Sequence, residues 1–130
     1  MTPPSRLMII DDEERIRQLL LDFLEDYGDF VLRAEESAEA ALATLDQQRA
    51  DLCIVDMRLP GMDGQAFILN ASRRGLCDKF ILHTGSMDFT LTKELLACGL
   101  TEADIFFKPC DMAAMLLRIR HILKLPGEAA

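Results

Sequence analysis

Four of the five short apolar runs in this sequence end in a residue able to do chemistry. Leu7 to Ile10 runs into Asp11-Asp12-Glu13-Glu14, Leu52 to Val55 into Asp56, Phe80 to His83 into Thr84-Gly85, and Ile105 to Phe107 into Lys108-Pro109. Each residue alone has an ordinary reading. Asp12 with Glu13 and Glu14 would cap a helix and complement its dipole. Asp56 opens the turn-rich stretch DMRLPGMDG, Thr84 is a strand-end hydroxyl and Lys108 a surface cation. As a set they point to more. Three aspartates brought together repel, since two unit charges about 4 Å apart cost about 1 kcal/mol in water and about 4 at an effective dielectric of 20. A cation must therefore belong to the set. Oxygen donors without a His or Cys partner favour a hard ion, and Mg²⁺, which keeps its waters, suits two or three carboxylates better than a Ca²⁺ cage. A carboxylate beside such an ion can attack a phosphoryl group and form an aspartyl phosphate. The Lys108 ammonium can then pair with one phosphoryl oxygen and the Thr84 hydroxyl with another, with Gly85 leaving room beside them.

The elements that must position these residues show two alternating periodicities. The apolar runs, with Phe30 to Ala34 as the fifth, are too short for helices and lack an apolar/polar alternation, which predicts strands buried on both faces. Between them lie helical stripes. Ile16, Leu19, Leu20, Phe23 and Leu24 form one that stops at Gly28, and Ala38, Ala41, Leu42 and Leu45 form another behind Ser37. A third helix is expected from near Gly64 to Arg74, a fourth from near Met87 to Cys98, and a fifth along Met112, Met115, Leu116, Ile119, Ile122 and Leu123, with Asp111 as its cap. The order is βα five times. Strand ends about 21 to 28 residues apart favour parallel neighbours joined right-handedly, giving an open α/β sandwich that binds ligands beyond the carboxyl ends of its strands.

The 130 residues suffice for one domain with a sizeable core. Fourteen Lys and Arg against 22 Asp and Glu give a net charge of -8, which argues against direct nucleic-acid binding. No apolar stretch approaches the ~18 to 20 residues of a membrane span, so a soluble, cytoplasmic protein is expected. Cys53, Cys77, Cys98 and Cys110 form no CxxC pair and read as free thiols in apolar surroundings. His83 reads as a satisfied core side chain on a buried strand. Residues 1–5 are expected to form a loose arm, 6–124 the domain, and 125–130 a tail or the start of a linker, with a stand-alone regulator favoured over the leading part of a longer protein.

The motifs IIDDEE, IVDMRLPGMDG, LHTG and FFKP, in that order and spacing, resemble those of the receiver domain of two-component response regulators, over about Arg6 to Leu123. The resemblance implies a flavodoxin-like (βα)5 three-layer sandwich with a parallel sheet in the order 2-1-3-4-5. It implies that Asp56 is the phosphoacceptor, that Asp12 and Asp56 bind Mg²⁺ with Asp11 acting largely through water, and that the Arg58 backbone carbonyl completes the protein ligands. Thr84 would be the switch hydroxyl, Lys108 the phosphate-pairing lysine, and the Lys108-Pro109 bond cis. The implied donor is a sensor histidine kinase or histidine phosphotransfer protein, and the implied reader is an effector that recognises the fourth helix, fifth strand and fifth helix. Arg58 and Ser86 would tune water access to the acyl phosphate. Such a domain promotes only its own phosphorylation and dephosphorylation and is not otherwise an enzyme.

Two positions depart from the family pattern. Ile105 stands where Tyr or Phe usually precedes the lysine by three, and Cys110 stands where an aromatic commonly follows the KP pair. Cys110 is expected to be a small core residue. Phe106 and Phe107 cannot substitute for an aromatic at 105 without changing the strand face they occupy. The Ile105 departure supports an alternative function, a constitutive interaction module whose partners bind regardless of phosphorylation. A flavin-binding module is disfavoured because the DDEE loop would repel an anionic phosphate. A dehalogenase-type phosphatase is disfavoured because Asp11-Asp12 lacks the Asp-x-Asp spacing.

Overall fold

The computed structural model describes residues 3–125. Along the chain run β1 (Ser5–Ile10), α1 (Glu14–Tyr27), β2 (Phe30–Glu35), α2 (Ala38–Gln47), β3 (Leu52–Val55), α3 (Gly64–Arg73), β4 (Phe80–Thr84), α4 (Lys93–Ala97), β5 (Ile105–Phe107) and α5 (Met112–Ile122). A single 3-10 turn, Glu102–Asp104, precedes β5. The first strand begins at Ser5, the last residue of the expected arm. Met1 and Thr2 of that arm, and 126–130 of the expected tail, lie outside the described residues.

All five strands are parallel, in the order β2-β1-β3-β4-β5, the flavodoxin-like arrangement. Two-residue periodicity divides the core between the two faces of the sheet. Met8, Ile10, Cys53, Val55, Phe80 and Leu82 meet Leu45 of α2 and Phe67 and Ala71 of α3 on one face. Leu7, Ile9, Leu52, Ile54 and Ile81 meet Leu20 and Leu24 of α1 and Met115 and Ile119 of α5 on the other. Each large apolar side chain so buried contributes about 1.5–3 kcal/mol. Two of the helices start on side-chain caps the sequence advertises, the Ser37 hydroxyl accepting from Ala40 N at 3.1 Å and Asp111 from Ala113 N at 2.9 Å; Asp63, expected only as part of a turn, also caps α3 by accepting from Ala66 N at 2.8 Å. Gly75 (φ 69°) and Gly99 (φ 91°) end α3 and the α4 segment in the left-handed region that glycine enters without penalty.

Two expectations need correction. Burial on both faces holds for β3, β4 and the interior half of β1, but β2 alternates between half-buried and exposed positions and β5 is half-buried throughout. These two are the edge strands, which have only one neighbour each. The fourth helix is five residues long and starts at Lys93, not near Met87. Between them, the Ser86 hydroxyl donates to Asp88 Oδ1 at 2.7 Å and Phe89 N donates to Ser86 O at 3.1 Å, so a local turn takes the backbone that a helix would need. Thr92 then caps the late start by accepting from Leu95 N at 3.2 Å. No described helix is long and apolar enough to cross a membrane.

Candidate functional site: a buried carboxylate cluster at the carboxyl rim

The parallel sheet delivers the ends of β1, β3, β4 and β5 to one rim. The Asp56 amide donates to Ile10 O at 2.9 Å, which locks the end of β3 beside the end of β1. Carboxylate oxygens of Asp11, Asp12 and Asp56 consequently lie within 4.8 Å of one another, with Asp11 and Asp56 buried and Asp12 exposed. Glu13, not Asp12, caps α1, and it does so without a side-chain hydrogen bond. The helix-cap reading of Asp12 therefore fails, and its carboxylate is left to the cluster.

Asp11 is fixed on several sides. Its Oδ1 accepts from Glu13 N at 2.9 Å and its backbone carbonyl accepts from Arg17 Nη1 at 2.8 Å. Asp56 Oδ1 accepts from Arg58 N at 3.0 Å. Lys108 Nζ is 2.8 Å from Asp11 Oδ2, 3.5 Å from Asp56 Oδ2 and 3.9 Å from Glu13 Oε1. The Lys108 amide donates to Thr84 O at 2.7 Å, which seats the end of β5 against β4, and the Lys108-Pro109 peptide is cis. Thr84 is fully buried, and its hydroxyl oxygen accepts from Ser86 N at 3.2 Å.

The electrostatics follow from this crowding. Burial pushes the Asp56 carboxyl above its usual range; the Arg58 N–H pulls it down, and the Asp11 charge pushes it up again. For Lys108, burial by itself would lower the ammonium, but the hydrogen bond and charge of Asp11, with Asp56 and Glu13 beyond, hold it above its ordinary value. A site with three carboxylates and one lysine remains net negative, and its donors are all oxygen. That is the donor set of a hard divalent cation.

Three contributors were not singled out from the sequence. Glu13 is the outer member of the Lys108 ion pairs. Gly64, at the start of α3, packs so close that a Cβ there would lie 2.7 Å from Asp56 O and from Met57 Cα. Asp88 accepts from the Ser86 hydroxyl, which is itself 3.5 Å from Arg58 Nη2, so a polar strap joins the loops after β3 and β4. The Ser-x-Asp spacing was the available signal for Asp88; nothing in the sequence marks Gly64 beyond turn chemistry.

The two departures resolve as follows. Ile105 packs into the core shared with α2 and α3, whereas Phe106 packs on the opposite face with α1 and α5. Strand alternation thus prevents Phe106 from replacing an aromatic at 105, but the same alternation puts Phe107, two residues on, on the face of Ile105, so the expectation that Phe107 occupies the other face is corrected. Cys110 is half-buried in the α1/α5 cluster, and all four cysteines are free thiols. His83 corrects an expectation: it is buried, but its Nδ1 has no hydrogen-bond partner among the described residues. Burial, reinforced by Lys108, lowers its pKa from 6.5 to about 4.

Residues 7–120 match the family model of the response regulator receiver domain. The chain is 33% identical over 126 residues to protein PetR of Rhodobacter capsulatus, covering 97% of this chain and 52% of that protein. It is likewise 33% identical over 121 residues to the transcriptional regulatory protein FixJ of Azorhizobium caulinodans, covering 92% of this chain and 56% of that one. It spans about half the length of these relatives. Among solved structures, the signal receiver domain of an HD domain-containing protein from Pseudomonas fluorescens superposes with a TM-score of 0.78 at 27% identity, covering 94% of this chain and 96% of that one. The chemotaxis protein CheY4 of Vibrio cholerae shares the fold, with a TM-score of 0.80 at 22% identity over 92% of this chain and 99% of that one. The acidic rim thus stands in a chain that belongs to the response regulator receiver domains of two-component systems.

Proposed function

We propose that Asp56 accepts a phosphoryl group from a phosphohistidine on a sensor histidine kinase or histidine phosphotransfer protein, in a Mg²⁺-dependent reaction that the domain itself promotes. The observation that carries this reading is the convergence of Asp11, Asp12 and Asp56 within 4.8 Å, with Lys108 bridging Asp11 and Asp56. The donor set fits the metal: Asp11, Asp12 and Asp56 with the Arg58 backbone carbonyl would hold it. When bound, it neutralises the carboxylates and the incoming phosphoryl oxygens so that two anions can approach.

The chain's own residues do the rest. A carboxylate oxygen of Asp56 forms the new P–O bond as the donor's P–N bond breaks and the imidazole leaves. The Arg58 N–H holds the other Asp56 oxygen and so orients the nucleophile. Lys108, already in the site, pairs with the phosphoryl group, and the Thr84 hydroxyl turns to donate to it. The acyl phosphate is later hydrolysed by water whose approach Arg58 and Ser86 regulate. Up to two added negative charges bias a pre-existing equilibrium in α4, β5 and α5, where a downstream effector reads the state. In this reading 6–124 is the receiver module, flanked by an arm (1–5) and a tail or linker (125–130). It works in the cytoplasm, engages no nucleic acid or membrane itself, and turns over no substrate other than its own acyl phosphate.

Beryllofluoride with Mg²⁺ should shift the Thr84 and Lys108 amide resonances, and Asp56→Ala should abolish both that response and phosphotransfer. Unchanged phosphotransfer in Asp56→Ala would overturn the reading. A second reading, a constitutive interaction module, is favoured by the aliphatic Ile105 in the position of the family's switch aromatic. Partner affinity measured with and without the phosphate mimic separates the two, because a coupling free energy of zero leaves only the constitutive module.

A further inference from the structure

The loop that carries the chain from Asp56 to α3 is held on its inner side by apolar burial and on its outer side by one carboxylate. Met57 and Leu59 are buried in the core shared with α2 and α3, while Arg58, Pro60 and Gly61 are exposed. Pro60-Gly61 is the central pair of a tight turn. Proline fixes its own φ and Gly61 takes φ 75° in the left-handed region, the pattern of a type II turn. Such a turn is commonly closed by the amide of its fourth residue, here Met62, donating to the carbonyl of its first, Leu59. That bond is absent among the described residues. Met62 N donates instead to Oε2 of Glu39, in the first turn of α2, at 3.0 Å.

The carboxylate is seated closely. A Cβ on Gly61 would lie 2.7 Å from the same Glu39 oxygen, so the side chain occupies space that only glycine leaves open. The Met62 N–H, with the amide of Glu39 itself, holds the Glu39 carboxyl below its ordinary range. Among the described residues, no other hydrogen bond ties 59–62 to another element. The support is firm, because Ser37 caps α2 and Ala38, Ala41, Leu42 and Leu45 bury its inner face. At the near end of the loop, Arg58 N donates to Asp56 Oδ1 at 3.0 Å. Leu59, the first residue of the turn, follows directly, so a displaced turn displaces the amide that orients the Asp56 carboxylate.

We propose, on the reading of Asp56 as phosphoacceptor, that Glu39 is a positioning residue for the reaction: through Met62 it holds the loop after β3 so that the Arg58 amide stays on Asp56. Glu39 touches neither the phosphoryl group nor the metal-binding carboxylates and acts only through the backbone of this loop.

The test uses the whole chain with acetyl phosphate and Mg²⁺, a donor that needs no kinase, and follows the product on phosphate-affinity gels. Glu39→Ala should slow phosphorylation about 10-fold at saturating Mg²⁺, since a misplacement of about 1 Å can cost up to about 100-fold. It should also shift the Arg58 and Met62 amide resonances of the metal-free chain. Glu39→Gln loses the charge but keeps an acceptor oxygen at the same reach, and should stay within about twofold of the parent. A Glu39→Ala chain that loses only urea stability, with its phosphorylation rate unchanged, would overturn the proposal, and so would a Gln variant as slow as the Ala variant. Should the parent take no phosphate, the phosphoacceptor reading falls first. An unmoved Arg58 amide in Glu39→Ala would separately show that the carboxylate does not hold the loop.

Discussion

Lys108 Nζ and Asp11 Oδ2 lie 2.8 Å apart although 97 positions separate the two residues in the chain. The pair joins the end of an edge strand to the end of an interior strand across β3 and β4, and its ammonium also reaches Asp56 at 3.5 Å. Lys108 is therefore the protein's own counter-charge for the carboxylate cluster.

Replacing it tests that role directly. Lys108→Met retains the apolar stem and removes the charge, leaving Asp11 buried without its cation. Phosphotransfer to Asp56 should slow on the order of 100-fold, the usual loss for one preorganised charge contact. Stopped-flow or radiolabel phosphotransfer checks this, and a rate within twofold of the parent would remove Lys108 from the mechanism.

Magnesium should stabilise the fold, because a ligand that binds only the folded state adds RT ln(1 + [L]/Kd). At 100 times its Kd that is about 2.7 kcal/mol. Thermal melts with Mg²⁺ and with a chelator should differ accordingly, and Asp12→Ala should erase most of the difference. Equal melting temperatures in the parent would contradict a metal at Asp11, Asp12 and Asp56.

Gly64→Ala should damage the site through the backbone. Its Cβ would sit 2.7 Å from Asp56 O and Met57 Cα, so the loop after β3 must move. The expected cost is about 1–3 kcal/mol, read as a lower urea midpoint, together with slower phosphotransfer because Asp56 is displaced. An unchanged midpoint would mean that α3 shifts freely.

His83 sets part of the acid sensitivity. Its pKa falls from 6.5 to about 4 on folding, so between those values the unfolded chain holds a proton on His83 that the folded chain does not. Its contribution is complete at pH 7, is lost as pH drops through that window, and amounts to about 3 kcal/mol in total. Asp56, with its raised pKa, titrates in the opposite sense. In urea titrations at pH 7, 6 and 5 without metal, His83→Leu should therefore lose less stability than the parent on acidification. Parallel curves for the two would show that His83 protonates equally in both states.

Much of the fold was legible because its signals are local. Short continuous apolar runs, helical stripes and the caps at Ser37 and Asp111 depend on neighbours a few residues away, and the βα alternation then dictates a parallel sheet. The chemistry-bearing set was legible for the same reason, since residues after parallel strands share one rim. Local competition was harder to read. Residues 87–92 carry a helical register that the Ser86 and Asp88 hydrogen bonds override, so α4 starts six residues late.

Chain order by itself determined the strands, most of the helices and the membership of the acidic rim. Only tertiary packing decided that Gly64 presses on Asp56 and that the His83 Nδ1 is buried without a partner among the described residues. Exposure, steric approach and hydrogen-bond satisfaction are properties of neighbours brought from distant positions, and residue types and spacing along a chain do not encode them.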